Sequence, residues 1–172
     1  MLPLGHAAGG YIIGTIAATL TKSDSKNREV FQLVGLFGGL LPDLDLVLYH
    51  SLRKRFNLPA QIEHHTWFTH TFPFYVVLGS FLAFGATITR QPNWLKLIIT
   101  MIAGSCIHLV QDMFGSGDGI MMLYPFSKRM FGIRLLNVHG KEWRKRYTSD
   151  PIFSLELLLI IIALVTLLKR NK

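Results

Sequence analysis

The sequence predicts an all-α protein, an up-and-down bundle of about five apolar helices that is embedded in a membrane. Half of the 172 residues are hydrophobic and only 16% are charged, whereas ordinary soluble domains have ~25% charged residues. The apolar residues fall into five segments, at 1–21, 30–52, 71–89, 94–114 and 152–168. Most of these approach the ~20 residues that a helix needs to cross a bilayer. We expect one domain, in which residues 151–172 add a C-terminal membrane helix with a basic tail to the helical part at 1–150.

The charge pattern favours a membrane surface over nucleic acid. The net charge is +8, and the basic residues form short runs between the apolar segments. Such flanks are expected beside anionic lipid headgroups, and no nucleic-acid-binding motif accompanies them. We therefore expect membrane lipids, and no nucleic acid, as partners. The single cysteine, Cys106, excludes an internal disulfide and a cysteine-based zinc site.

The first two segments carry the first candidate site residues. The first segment is rich in glycine, which suits a helix packed closely against its neighbours, and His6 lies near its start. The second is interrupted at Pro42, which is followed by Asp43 and Asp45. Carboxylates inside an apolar segment are costly unless they are paired, face water or bind a cation. The alternative is that both simply cap a helix that restarts after Pro42.

The third and fourth segments each carry a pair of candidates. His65 and His70 precede the third segment and are five residues apart, which would separate them by about 140° on one continuous helix. Both can face one ion only if His65 lies in a loop, and Pro73 near the helix start supports that arrangement. His108 and Asp112 are four apart and so share one helical face. Their alternative role is a hydrogen bond that only stabilises the helix.

The last segment has the composition of a membrane anchor, with Glu156 near its start. If all five segments cross the membrane alternately, every candidate falls on the same side. Ten of the 18 Lys and Arg residues also lie on that side. By the positive-inside rule this side is expected to be cytoplasmic in a multi-pass protein of the cell membrane.

These residues together resemble a known family. The combination of His6, residues 41–45 (LPDLD), His65 and His70 with Thr69, and His108-x3-Asp112 resembles the YdjM-like family of membrane-bound metal-dependent hydrolases. Residues 123–127 (LYPFS) resemble a stretch that follows the His–Asp helix of that family. The likeness covers roughly residues 1–135 and implies a hydrolase without supplying a substrate. A more distant similarity, in helical His-x3-Asp ligands, is to zinc-dependent phospholipase C and P1-type nucleases.

One position departs from the family pattern. The family commonly has His-Arg-Gly before its Thr-His pair, and this chain has His65-Thr66-Trp67 there. The departure keeps the expected ligands but removes a basic residue from the region where substrate would bind.

The chemistry of the candidates favours a divalent metal. Imidazoles and carboxylates without thiolates suit Zn²⁺, Mn²⁺ or Fe²⁺, and zinc is the expected ion. Seven candidates exceed the three or four protein ligands that one zinc takes, so we expect one or two ions. The expected ligands are His6, His65, His70, His108 and Asp112, with Asp43 and Asp45 divided between ligand and general base. Thr69 is expected to support a ligand by hydrogen bonding.

The predicted function is hydrolysis of a phosphoester, such as that of a phospholipid headgroup, by a metal-activated water. Lys128, Arg129 and Arg134 are expected to bind the anionic headgroup, the alternative being general contact with the membrane surface. A transporter or sensor would use the same ligands, but would need them near the middle of the membrane. A third possibility is an inactive scaffold that a metal stabilises.

Overall fold

The chain folds into helices joined by short connections. The computed structural model describes residues 1–57, 64–115, 119–133 and 143–170, with the side chains of residues 54, 64, 143 and 170 left out. Over these ranges it has seven α-helices: α1 (Pro3–Leu20), α2 (Ser25–Leu40), α3 (Leu44–Phe56), α4 (Phe72–Ile88), α5 (Pro92–Gly115), α6 (Trp143–Ser149) and α7 (Ile152–Arg170). Two single 3₁₀ turns, His64–Thr66 and Phe68–His70, precede α4. No strand is present in these ranges, so the predicted all-helical fold is confirmed.

The second predicted segment is divided at Pro42. Its two parts, α2 and α3, meet at a bend of 54°, because proline cannot donate the backbone hydrogen bond that would continue the helix. Asp43 lies in the bend and Asp45 in the first turn of α3. The bend therefore places both carboxylates at the end of the bundle.

Glycines allow α1, α2 and α5 to meet at backbone distance. A Cβ atom on Gly10 of α1 would overlap the carbonyl oxygen of Gly35 of α2, and one on Gly104 of α5 would lie 2.6 Å from the same oxygen. Small residues at a helix interface permit such approach in membrane proteins. The consequence is that side chains from three helices can reach one small volume.

Two helices, α5 and α7, are long and apolar enough to cross a membrane. The bent pair α2–α3 passes the same test if it counts as one span, and α4 is apolar but shorter. About 39% of the most apolar window of α5 is buried inside the protein, against 17% for α7. Of these two candidate spans, α5 is thus the central helix, and α7 lies at the periphery.

The segment at 119–133 covers the end of α5. Ile120 and Phe131 exchange two backbone hydrogen bonds of 2.8 Å, and Ile133 N donates to Met113 O of α5 at 2.8 Å. Met121 N also donates to the carbonyl oxygen of His65 at 3.2 Å. Ile120 is fully buried against Tyr75 and Leu109. These contacts fix the connection beside the predicted site.

Candidate metal centre

Six of the seven predicted ligand residues come together at one end of the bundle. Their donor atoms form two groups, within each of which all atoms lie within 4.8 Å of one another. The first group is His6 of α1, Asp43 of the bend and His108 of α5, and the second is His65, His70 and Asp112. Residues that are distant in the sequence therefore lie close together in space. This agrees with the predicted topology, which puts all of them on the same side.

Asp112 lies at the centre of the cluster and is almost fully buried. Its Oδ1 is 3.2 Å from His6 Nε2 and 3.0 Å from the amino group of Met1. Its Oδ2 is 3.1 Å from His108 Nε2, 3.7 Å from His65 Nε2 and 3.8 Å from His70 Nε2. One carboxylate is thus surrounded by four imidazoles.

Asp43 joins the two groups from the open side. Its Oδ1 lies 3.7 Å from Nε2 of both His70 and His108. Two ligands of a tetrahedral zinc ion lie roughly 3.4 Å apart, since each is about 2.1 Å from the ion. The measured separations of 3.1 to 3.8 Å around Asp43 and Asp112 therefore fit a divalent ion.

Hydrogen bonds at the far side of two imidazoles determine which nitrogen faces the cluster. His108 Nδ1 lies 2.7 Å from the carbonyl oxygen of Gly39, and His6 Nδ1 lies 3.1 Å from Gln111 Oε1. Both partners are acceptors, so each Nδ1 carries the proton and donates. In a neutral imidazole the Nε2 atom then carries a lone pair, and in His108 that atom faces Asp112 Oδ2. Two such electron-rich atoms at 3.1 Å repel each other unless a proton or a metal cation lies between them.

Asp45 holds a different place from the other six. Its Oδ2 accepts a hydrogen bond from Thr69 Oγ1 and lies 3.5 Å from His70 Nδ1, on the side of the ring away from the cluster. A carboxylate behind a ligating histidine orients the ring and makes it more basic. Burial lowers the pKa of His70, but the carboxylates of Asp43 and Asp45 outweigh it and raise the pKa to about 9.

Of the predicted substrate-binding residues that the structure describes, neither makes a described contact with the cluster. Lys128 and Arg129 are exposed, and the Arg129 guanidinium lies over the Phe131 ring at 5.5 Å. Arg134 lies outside the described residues. Their role stays a prediction.

Two buried polar residues near the cluster were missed by reasoning from sequence. Gln111 precedes Asp112 and hydrogen-bonds to His6. Glu156 of α7 is 1% exposed and accepts hydrogen bonds from Leu2 N, at 3.1 Å, and from the Tyr147 hydroxyl. The available signal was a polar side chain in an apolar helix, which is costly to bury without a partner. Sequence alone did not identify either partner.

Comparison with known proteins identifies the family. No curated protein and no solved structure matches the chain. The family model of the YdjM inner membrane protein matches residues 1–172, the full length of the sequence. This protein therefore belongs to the YdjM inner membrane protein family.

Proposed function

We propose that the protein is a membrane-bound, metal-dependent hydrolase of phosphoesters, with its site at the cytoplasmic face of a multi-pass membrane domain. The observation that carries the proposal is the convergence of four imidazoles and two carboxylates at ligand distances around Asp112 and Asp43. Burying so many ionisable groups at one end of an apolar bundle costs free energy, and a bound cation offsets that cost.

In this proposal each side chain of the cluster has a role. His6, His65, His70, His108, Asp43 and Asp112 would hold one or two zinc ions, or Mn²⁺ or Fe²⁺ in their place. A bound ion lowers the pKa of water and stabilises charge on the attacking and leaving oxygens. Asp45 orients His70. The side chain of Asp43 is 22% exposed, so in this mechanism it can also receive the proton of the attacking water.

The opening of the site favours an amphiphilic substrate. His65 and Asp43 are the two donors whose side chains reach solvent, at 22% each. Large apolar side chains are exposed on the elements that flank them, with Leu44 at 43%, Phe68 at 59% and Phe126 at 85%. Lys128 and Arg129 follow Phe126. Apolar surface with positive charge beside it suits a phospholipid-like molecule whose phosphoester lies at the membrane surface.

The position of the ligands favours a hydrolase over a transporter. His6 lies in the first turns of α1, and His108 and Asp112 lie in the last two turns of α5. A transporter binds its cargo near the middle of the membrane, commonly where helices are broken. Asp43 lies at such a break, between α2 and α3, but the ligands on α1 and α5 do not. Ligands at helix ends suit a site that works on a substrate at the membrane surface.

The test is to isolate the protein in lipid nanodiscs without chelators and to measure bound metal by mass spectrometry. Phosphodiester, phosphomonoester and carboxylic ester surrogates are then assayed beside His108→Ala, with the exposed His50→Ala as the matched control. We expect one or two ions per chain and phosphoester turnover, both lost in His108→Ala and kept in His50→Ala. Protein without stoichiometric metal would refute the metal centre. Metal without turnover of any surrogate would refute the hydrolase.

A further inference from the structure

The carboxamide of Gln111 is fixed between two groups of α1. The side chain is buried, with 4% exposure. Its Nε2 donates to the carbonyl oxygen of Gly5 at 2.9 Å, and its Oε1 lies 3.1 Å from His6 Nδ1. A carbonyl oxygen can only accept, so the amino group must face Gly5 and the oxygen must face His6. That orientation requires a proton on His6 Nδ1.

A glycine makes the space for this side chain. A Cβ atom on Gly9 would lie 2.6 Å from Gln111 Nε2 and 2.9 Å from Oε1. Any larger residue at position 9 would force the carboxamide away from His6. The small residue at this point of α1 therefore serves the contact with His6 as well as helix packing.

We propose that Gln111 is a positioning residue, which holds His6 in the Nδ1-protonated tautomer so that Nε2 presents its lone pair to a cation beside Asp112. This inference rests on the metal centre of the proposed function. The partner behind a metal-ligating histidine sets its tautomer and orientation, and removal of such a partner typically costs about 10–100-fold in metal affinity.

A second buried glutamine provides the matched comparison. Gln32 of α2 is 1% exposed and its Nε2 donates to Thr15 Oγ1 of α1 at 3.1 Å. Like Gln111, it joins another helix to α1. Unlike Gln111, it contacts no member of the cluster in the hydrogen bonds described. A purely structural role would make the two substitutions alike, whereas a positioning role separates them.

The experiment measures zinc affinity by competition with a chromophoric chelator at neutral pH, on the full chain in nanodiscs. Gln111→Leu is expected to weaken zinc binding about 10–100-fold, because the hydrogen-bond acceptor for His6 is lost. Gln111→Glu keeps that acceptor but loses the donor to Gly5 O, so its affinity should fall clearly less than that of Gln111→Leu. Gln32→Leu should lower the thermal midpoint without changing affinity. Unchanged affinity in Gln111→Leu, or an equal loss in both Gln111 variants, would overturn the proposal.

A second readout does not require metal. Nitrogen NMR shifts of isotope-labelled histidine, assigned with His6→Gln, report the tautomer in the metal-free protein. We expect His6 to be protonated at Nδ1, and to populate both tautomers in Gln111→Leu. An Nε2-protonated His6 in the unmodified protein would overturn the proposal even if zinc binds. Protein that has the expected tautomer but binds no zinc would instead refute the proposed function.

Discussion

The two longest apolar helices of the described residues, α5 and α7, are both candidate membrane spans, but their surroundings are opposite. Both pass the length and composition test for a membrane span. Polar and small residues of α5, including Gly104, His108 and Asp112, are buried against other helices. Most large side chains of α7 are exposed, and Glu156 near its start is buried. Hydropathy thus identifies both helices, but the placement of small and polar residues indicates which one the protein surrounds.

The largest expected difference concerns the buried acids of the two helices. Asp112→Asn removes the charge that faces four imidazoles, and we expect zinc affinity to fall by at least ~100-fold, beyond the usual effect of a residue that only supports a ligand. Glu156→Gln, the matched change on α7, should keep the bound metal. Zinc titration of the two variants checks this. Equal loss of metal in both variants would show that the buried acids of α5 and α7 do not differ in their role at the site.

A second difference concerns leucines of the two helices. Leu109 of α5 has no exposed surface, whereas Leu164 of α7 is 52% exposed. Leu109→Ala leaves a cavity and should lower the free energy of unfolding by about 2–5 kcal/mol. Leu164→Ala should change it by less than about 0.5 kcal/mol. Unfolding in detergent measures both, and similar losses would place α7 inside the protein.

Glycine substitution should give an intermediate effect. A Cβ on Gly104 would lie 2.6 Å from the carbonyl oxygen of Gly35, a backbone atom that cannot rotate away. Gly104→Ala gains up to about 1 kcal/mol in helix propensity, but overpacking typically costs about 1–3 kcal/mol, so we expect a lower thermal midpoint. Gly85→Ala on α4 is the control, because nothing lies within 4 Å of its Cβ position. A stabilised Gly104→Ala would show that the helices can separate without cost.

The fold and the cluster could be predicted from the spacing of residues along the sequence. The apolar segments gave the helices, Pro42 gave the bend, and the five-residue separation of His65 and His70 correctly placed His65 outside α4. The alternating direction of successive segments predicted that the donors lie at one end of the bundle. Such arguments depend on distances along a single helix or on the order of segments, and both can be counted from the sequence.

The missing parts depend on contacts between helices. Gln111 meets His6 across 105 positions, and Glu156 meets Leu2 across 154. Neither spacing has a period that could be read from the chain. The different positions of Asp43 and Asp45 likewise depend on the angle of the bend. The Asp43 carboxylate faces the other donors, and the Asp45 carboxylate lies behind His70. Packing geometry, and not residue type, separates these roles.

The smallest effect is expected where α7 meets the rest of the protein. Burial and the neighbouring Glu156 carboxylate raise the pKa of Tyr147, so its hydroxyl stays protonated and donates to Glu156. Tyr147→Phe removes one donor but leaves Leu2 N on the same carboxylate, so the cost should be about 1–2 kcal/mol of unfolding free energy. Tyr124→Phe, at a tyrosine that is 37% exposed, is the control and should be neutral. Zinc affinity should stay within a few-fold in both variants, because the described hydrogen bond of Tyr147 goes to Glu156 and Tyr124 is exposed. A large loss of affinity in Tyr147→Phe would instead show that α7 positions the first turn of α1, and with it His6.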